Sequence, residues 1–153
     1  MAGYTEVLEN AKRYRPDAKI EGLLIQEMIQ GGTEVIVGMS QDLQFGPTVM
    51  FGLGGIFVEV YKDVSLRVAP ISRMDAKEMM AEVKGSVLLG GYRGKEKGDV
   101  EGVIQVLLRV SQLAMDWKEK IKELDINPLI VLGEGKGVRA VDALIVKEYE
   151  KQF

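Results

Sequence analysis

The chain has 153 residues, 46% of them hydrophobic, and a formal net charge of −3 from 20 basic and 23 acidic residues. That is enough chain to bury one ordinary core, and a mildly acidic balance with interspersed charges argues against a nucleic-acid partner, which requires concentrated Lys and Arg. Cysteine and histidine are both absent, which removes disulfides, thiolate and imidazole metal sites, and histidine-assisted nucleophiles together. Any chemistry here runs on carboxylates, amides, Lys, Arg and backbone N–H groups. No apolar run approaches the roughly 20 residues of a membrane span, and no signal-peptide pattern opens the chain; a cytoplasmic location is the expectation.

Tyr4, Val7, Leu8, Ala11 and Tyr14 recur at helical spacing, and Pro16 ends that helix. Residues 23–29 (L-L-I-Q-E-M-I) read as a strand that turns at Gly31-Gly32 and pairs back on 33–40 (T-E-V-I-V-G-M-S), which alternates cleanly. Residues 48–53, 56–61 and 66–68 read as three more strands, joined near Gly54-Gly55 and Lys62-Asp63. Asp75 followed by Glu78 has the form of a capping box opening a helix through Met79, Met80 and Val83. After the loop G-G-Y-R-G at 90–94, Asp99 caps the longest helix, with a buried stripe of Val103, Leu107, Val110, Ala114 and Trp117. Residues 123–142 (E-L-D-I-N-P-L-I-V-L-G-E-G-K-G-V-R-A-V-D) form a last hairpin around a glycine-rich loop, and 148–153 is a loose tail. Hairpins, then helices, then a hairpin make an α+β domain with a largely antiparallel sheet.

The last hairpin carries the sharpest functional signal. Asp125 and Asn127 share a strand face. With a loop at 133–136, Leu132 faces Gly137, and counting back sets Asn127 opposite Asp142. Facing Cβ atoms lie about 4.5–5.5 Å apart, so Asp125, Asn127 and Asp142 are placed to share a small cation. A few rigid oxygen ligands suit Mg²⁺, which keeps waters and phosphates in its remaining positions. The plain alternative is a hairpin whose polar residues face water.

Other candidates each have a similarly plain alternative. The backbone of residues 26–29 could bond a base edge and Glu34 a pair of ribose hydroxyls, or Glu34 is an exposed hairpin residue. The run Gly52-Leu53-Gly54-Gly55 could approach a phosphate, although no Gly-Lys-Ser/Thr follows it as in a Walker A loop; otherwise it is a tight turn. Lys62 and Arg67 could neutralise phosphate oxygens or be solvated charges. Arg93, between Gly91 and Gly94, sits in a loop able to close over a site or simply to face solvent.

Residues 22–38, 42–71 and E-L-D-I-N-P-L at 123–129 closely resemble the ATP-grasp module, β subunit, of ADP-forming acyl-CoA synthetases, the acetate–CoA ligase (ADP-forming) group related to succinyl-CoA synthetase. The resemblance covers about residues 5–147. It implies the C-terminal lobe of an ATP-grasp fold as a single domain over 1–153. It implies ATP or ADP as substrate, Mg²⁺, and phosphoryl transfer between ADP and a phosphohistidine on a partner CoA-binding α subunit. The net reaction takes acyl-CoA, ADP and phosphate to the acid, CoA and ATP. By resemblance, Gln26, Glu27 and Ile29 match the adenine hinge, Glu34 the ribose carboxylate, and Asp125, Asn127 and Asp142 the Mg²⁺ set; Lys62 and Arg67, read from their charge, are the candidate catalytic residues. The family's first ATP-grasp lobe, with its nucleotide-clasping lysine, precedes these motifs and is expected to be absent from this chain and to act as a partner. A non-catalytic nucleotide- or partner-binding module, as in domains fused to acetyltransferases, remains the alternative.

Overall fold

The structure, a computed structural model, describes residues 2–54, 63–94 and 96–148. The expected strand at 56–61, Gly55, Lys62 and the tail beyond 148 lie outside the described residues, as does the side chain of Arg93. The chain forms two compact units, Met1–Gln30 and Gly31–Phe153.

In the first unit, helix α1 (Ala2–Tyr14) runs as the apolar spacing requires and carries Lys12 and Arg13 in its last turn, cations that suit the negative end of the helix dipole. Residues 15–30 contain no helix or strand. The sequence-based pairing of 23–29 with 33–40 is therefore not formed, for a topological reason. Both edges of the second strand segment are taken by other strands.

In the second unit these strands are β1 (Thr33–Asp42), β2 (Gly46–Leu53), β3 (Val64–Val68), β4 (Ile121–Val131), β5 (Val138–Ala140) and β6 (Ala143–Lys147). They make one antiparallel sheet in the order β3-β2-β1-β4-β5, with β6 also paired on β4. β1 is central, bonded to β2 along one edge and to β4 along the other. Its connection to β2 is a hairpin in which Asp42 Oδ1 accepts from the backbone N–H of Gln44 and Phe45.

Two helices cover one face. The first, α2 (Arg73–Glu82), begins one turn earlier than the Asp75/Glu78 pattern suggested. Ser72 is the N-cap: its Oγ accepts from Asp75 N at 3.2 Å, and Asp75 Oδ2 accepts from Ser72 N at 2.7 Å. Asp75 is thus the third residue of the helix rather than its cap. Short 3-10 turns at Lys84–Gly90 and Tyr92–Gly94 lead to α3 (Val100–Asp116), capped by Asp99 as expected. Val103, Leu107, Val110 and Ala114 of α3 are buried. Trp117 is not, being 49% exposed, because the helix ends before it; it forms the C-cap, with the Lys120 ammonium 5.1 Å from its ring centre.

Alternation along the strands separates the two sheet faces. Val35, Val37 and Met39 of β1, Val49, Phe51 and Leu53 of β2, and Leu124, Leu129 and Val131 of β4 pack with α2 and α3 into one core. Inside it, the Ser111 hydroxyl oxygen on α3 accepts from the backbone N–H of Ile71 at 2.9 Å, satisfying a buried donor ahead of α2. The opposite face of the sheet carries the even-numbered residues of β1 and everything paired with them.

Candidate functional site

The last hairpin has the register read from its sequence. Val131 pairs with Val138 and Leu129 with Ala140; Leu132 N donates to Gly137 O at 3.1 Å, and Asn127 N donates to Asp142 O at 3.1 Å. Past Asp142 the returning chain continues as β6, so that Ile126 pairs with Ala143 and Asp125 with Leu144. Asp125, Asn127 and Asp142 therefore gather on one patch of one face.

A bulge sharpens this patch. Val35 pairs with Leu129 but Val37 with Ile126, so two residues of β4, Asn127 and Pro128, stand against the single Ile36 of β1. A bulge re-aims side chains and adds local twist, and here it falls on the amide of the proposed set.

The three side chains differ in environment. Asn127 and Asp142 are exposed, whereas Asp125 is half-buried. Asp142 Oδ1 accepts from Ala143 N at 2.8 Å, which fixes the start of β6. Asp125 Oδ1 is fully buried and has no hydrogen-bond partner among the described residues. Burial pushes the Asp125 carboxyl above the ordinary carboxylate range, aided by the charges of Glu123 and Asp142 and opposed by the Asn127 amide. A buried carboxylate oxygen without a donor, two further oxygen-bearing side chains beside it, and excess negative charge form a donor set that a hard divalent cation fits. Among the described residues no group of three or more acidic side chains is placed to hold a metal; the set here is two carboxylates and one amide.

β1 carries the site along its length. Gly38 pairs with Asp125 on one side and with Met50 on the other. Glu34 stands on the same face four residues earlier, roughly 14 Å away at about 3.4 Å per residue. Glu34 is exposed, and its carbonyl accepts from Gly54 N at 2.8 Å. An added Cβ at Gly54 would lie 2.9 Å from the Glu34 Cβ, so the glycine there has a packing reason.

The remaining candidates belong to other segments of the chain. Gln26 and Glu27 are exposed and Ile29 half-buried, all in the irregular segment of the first unit. Arg67 is on the helix-covered face, since it pairs with Val49 of the core. Its guanidinium is ion-paired with Glu82 of α2, with Glu78 at 3.9 Å, and is further raised in pKa by the Glu82 hydrogen bond. The structure does not bring Arg67 to the Asp125 patch: adjacent positions of a strand point to opposite faces, and it is Leu66 that faces the patch.

Sequence reasoning passed over one contributor. Asp99 is more than a cap. Oδ1 accepts from Gly102 N at 2.8 Å and Oδ2 from Gly137 N at 2.9 Å, while Asp99 N donates to Leu132 O at 2.8 Å. These bonds tie the start of α3 to the loop between Asn127 and Asp142, and Lys136 adds an ion pair to Glu96 at 2.8 Å.

Residues 1–146 match the model of the ATP-grasp domain. The chain belongs to the ATP-grasp domain family. Within it, the chain is 50% identical over 143 residues to the acetate–CoA ligase (ADP-forming) II subunit β of Pyrococcus furiosus, covering 94% of this chain and 61% of that one. It is 44% identical to the 4-hydroxybutyrate–CoA ligase (ADP-forming) of Nitrosopumilus maritimus, over 93% of this chain and 20% of that protein. The chain thus spans about three-fifths or less of these relatives. Among solved structures, an acetyl-coenzyme A synthetase of Ca. Korarchaeum cryptofilum in complex with coenzyme A and Ca-AMPCP superposes with a TM-score of 0.82 at 49% identity, over 95% of this chain and 62% of that one. A further complex of that enzyme holds Mg-AMPPCP, with its phosphohistidine segment pointing towards the nucleotide-binding site, and matches with a TM-score of 0.78 at 46% identity over 92% of this chain and 64% of that one.

Proposed function

We propose that this chain is the nucleotide-holding lobe of an ADP-forming acyl-CoA synthetase, working with a CoA-binding subunit that carries a phosphohistidine and with a first ATP-grasp lobe. The observation that carries this reading is the Asp125–Asn127–Asp142 patch with its buried Asp125 oxygen, unpartnered among the described residues. Family membership supports it, and so does the identity to ADP-forming acetate–CoA ligases.

In this reading Asp125, Asn127 and Asp142 hold Mg²⁺, whose charge offsets that of the nucleotide's terminal phosphates. Glu34 accepts hydrogen bonds from the ribose hydroxyls at the other end of the β1 face, and Gln26, Glu27 and Ile29 border the adenine. Asp99 acts at a distance by keeping the hairpin loop against α3, so that Asn127 and Asp142 stay in register. Lys62 is the remaining cation for the phosphates. Arg67 serves the fold, clamping β3 to α2 through Glu82. Phosphoryl transfer needs in-line positioning and charge neutralisation rather than covalent help from the protein, which a chain without histidine or cysteine can supply.

Calorimetric titration of the full chain with ADP, with and without Mg²⁺, tests the reading. The expected result is weak binding that requires Mg²⁺ and is lost in Asp142→Asn. Binding of equal strength with and without Mg²⁺, or unchanged in Asp142→Asn, would overturn the metal assignment. Binding with no phosphoryl transfer after the CoA-binding subunit and first lobe are added would favour the non-catalytic module.

A further inference from the structure

The site face of β1 changes character along its length. Glu34 stands near one end, Gly38 in the middle opposite Asp125, and Asp42 at the other end, where the chain turns into β2. Each step of four residues is about 14 Å at roughly 3.4 Å per residue. Gly38 is buried, but Ser40 and Asp42 are exposed, so the strand opens to solvent between the Asp125 row and the turn.

The turn has an unexpected composition. Turn tips are normally small and polar, yet Leu43 is fully exposed and Phe45 is 67% exposed. The backbone beneath them is held firmly. Asp42 Oδ1 accepts from Gln44 N at 2.8 Å and from Phe45 N at 2.9 Å, and Gln41 Nε2 donates to Ile121 O at 3.2 Å, tying the base of the hairpin to the start of β4. Ile121 N donates to Trp117 O at 2.9 Å, which sets the exposed Trp117 at the same end of the sheet. Apolar side chains on a fixed turn lose little freedom when a partner covers them, and aromatic residues are enriched where proteins meet.

The direction of phosphoryl transfer says which partner. With the ribose at Glu34 and the cation at Asp125, Asn127 and Asp142, the nucleotide runs along β1 with its terminal phosphate toward the turn. In transfer from a phosphohistidine, an oxygen of ADP bonds to phosphorus as the phosphorus–nitrogen bond breaks, and the electron pair stays on the imidazole. The attacking oxygen and the leaving nitrogen lie roughly in line. The histidine therefore stands on the side of phosphorus away from the nucleotide, toward Ser40 and the turn.

We infer that the β1–β2 turn, through Leu43 and Phe45, is the docking point of the CoA-binding subunit, which receives both side chains in an apolar groove beside its phosphohistidine segment. This rests on the reading above of Glu34 at the ribose and of Asp125, Asn127 and Asp142 at the metal. Leu43 and Phe45 touch neither nucleotide nor metal; they bring the phosphoryl donor to the open end of the site.

The test is ATP formation by the full chain with the first lobe and Mg²⁺–ADP, at rising concentrations of the CoA-binding subunit phosphorylated on its histidine. The double variant Leu43→Ser/Phe45→Ser is compared with Val87→Ser, which removes an exposed apolar residue from another element. Both are expected to melt like wild type, because none of these side chains is buried. The double variant is expected to need at least about tenfold more phosphorylated subunit for half-maximal rate, a cost of about 1.4 kcal/mol in binding. Its maximal rate and its calorimetric affinity for Mg²⁺–ADP should be unchanged, and Val87→Ser should match wild type throughout. An unchanged half-saturating concentration overturns the inference, as does an equal loss in Val87→Ser or a lower melting temperature in the double variant. So does a loss cured by excess first lobe, or altered self-association of the chain alone, since each assigns the turn to a different occupant. Wild-type chain that forms no ATP at any concentration would sink the phosphoryl-transfer reading itself, and this inference with it.

Discussion

Asp99 offers the most demanding test of how the fold serves the site. Its carboxylate is buried at 8% exposure and accepts from two backbone donors in separate elements, Gly102 at 2.8 Å in the first turn of α3 and Gly137 at 2.9 Å in the hairpin loop. Loss of a helix N-cap costs about 0.5–2 kcal/mol, and loss of a hydrogen bond to a charged group about 1.5–3 kcal/mol. Water can reach part of the loop and recover some of this, so Asp99→Ala is expected to destabilise the second unit by about 2–4 kcal/mol. Asp99→Ser keeps the cap but is too short to reach Gly137, and should lose about half as much. Urea unfolding of the full chain, followed by far-UV circular dichroism, measures both, with the slope of the transition unchanged. The pH dependence adds a signed check. The Gly102 N–H, then that of Gly137, hold the Asp99 carboxyl below its usual range. Its contribution is therefore fully present above the unfolded value near 3.9 and is lost as pH falls through the folded value. The gap between wild type and Asp99→Ala should be constant near neutrality and narrow below about pH 4. A loss under about 0.5 kcal/mol in alanine, equal losses in serine and alanine, or a gap that ignores acid would refute the two-element account.

Two further outcomes follow from individual groups. Burial raises the Asp125 carboxyl, as do Glu123 and Asp142, so without metal the folded chain binds that proton more readily than the unfolded chain, and stability falls as pH rises from about 3.9 through the folded value. Asp125→Asn should flatten this slope and raise the metal-free melting temperature at neutral pH while removing the stabilisation that Mg²⁺ and ADP provide by mass action; thermal melts at several pH values check both, and a lower metal-free melting temperature would count against the buried-charge account. Ser111→Ala leaves the buried Ile71 N–H without its 2.9 Å acceptor, a loss of about 1–3 kcal/mol measurable by urea unfolding, with Ser111→Thr retaining part of the bond.

Much of the site was legible because a hairpin is a local object. The glycine-rich loop and strand alternation set the register, and the register brings Asp125, Asn127 and Asp142 to one patch. Asp99 was recognisable as a cap for the same reason: its first partner, Gly102, is three residues away. Even the helix that began one turn early erred within a local pattern, Ser72 and Asp75 satisfying the same motif as Asp75 and Glu78.

What sequence alone determined, then, was whatever depends on neighbours a few residues apart: the helices, the last hairpin and the polar alternation of β1. The tertiary structure decided the rest. It chose β2 and β4 as the partners of β1 and left residues 23–29 unpaired; β4 lies far along the chain from β1, and local pattern does not rank one available edge against another. It set Arg67 against Glu82 on the helix-covered face, because the direction of a strand residue follows from register with β2 rather than from charge. It joined Asp99 to Gly137 across 38 residues. And it half-buried Asp125 and left its Oδ1 without a hydrogen-bond partner among the described residues, since burial is a property of the packed sheet and no stretch of sequence carries it by itself.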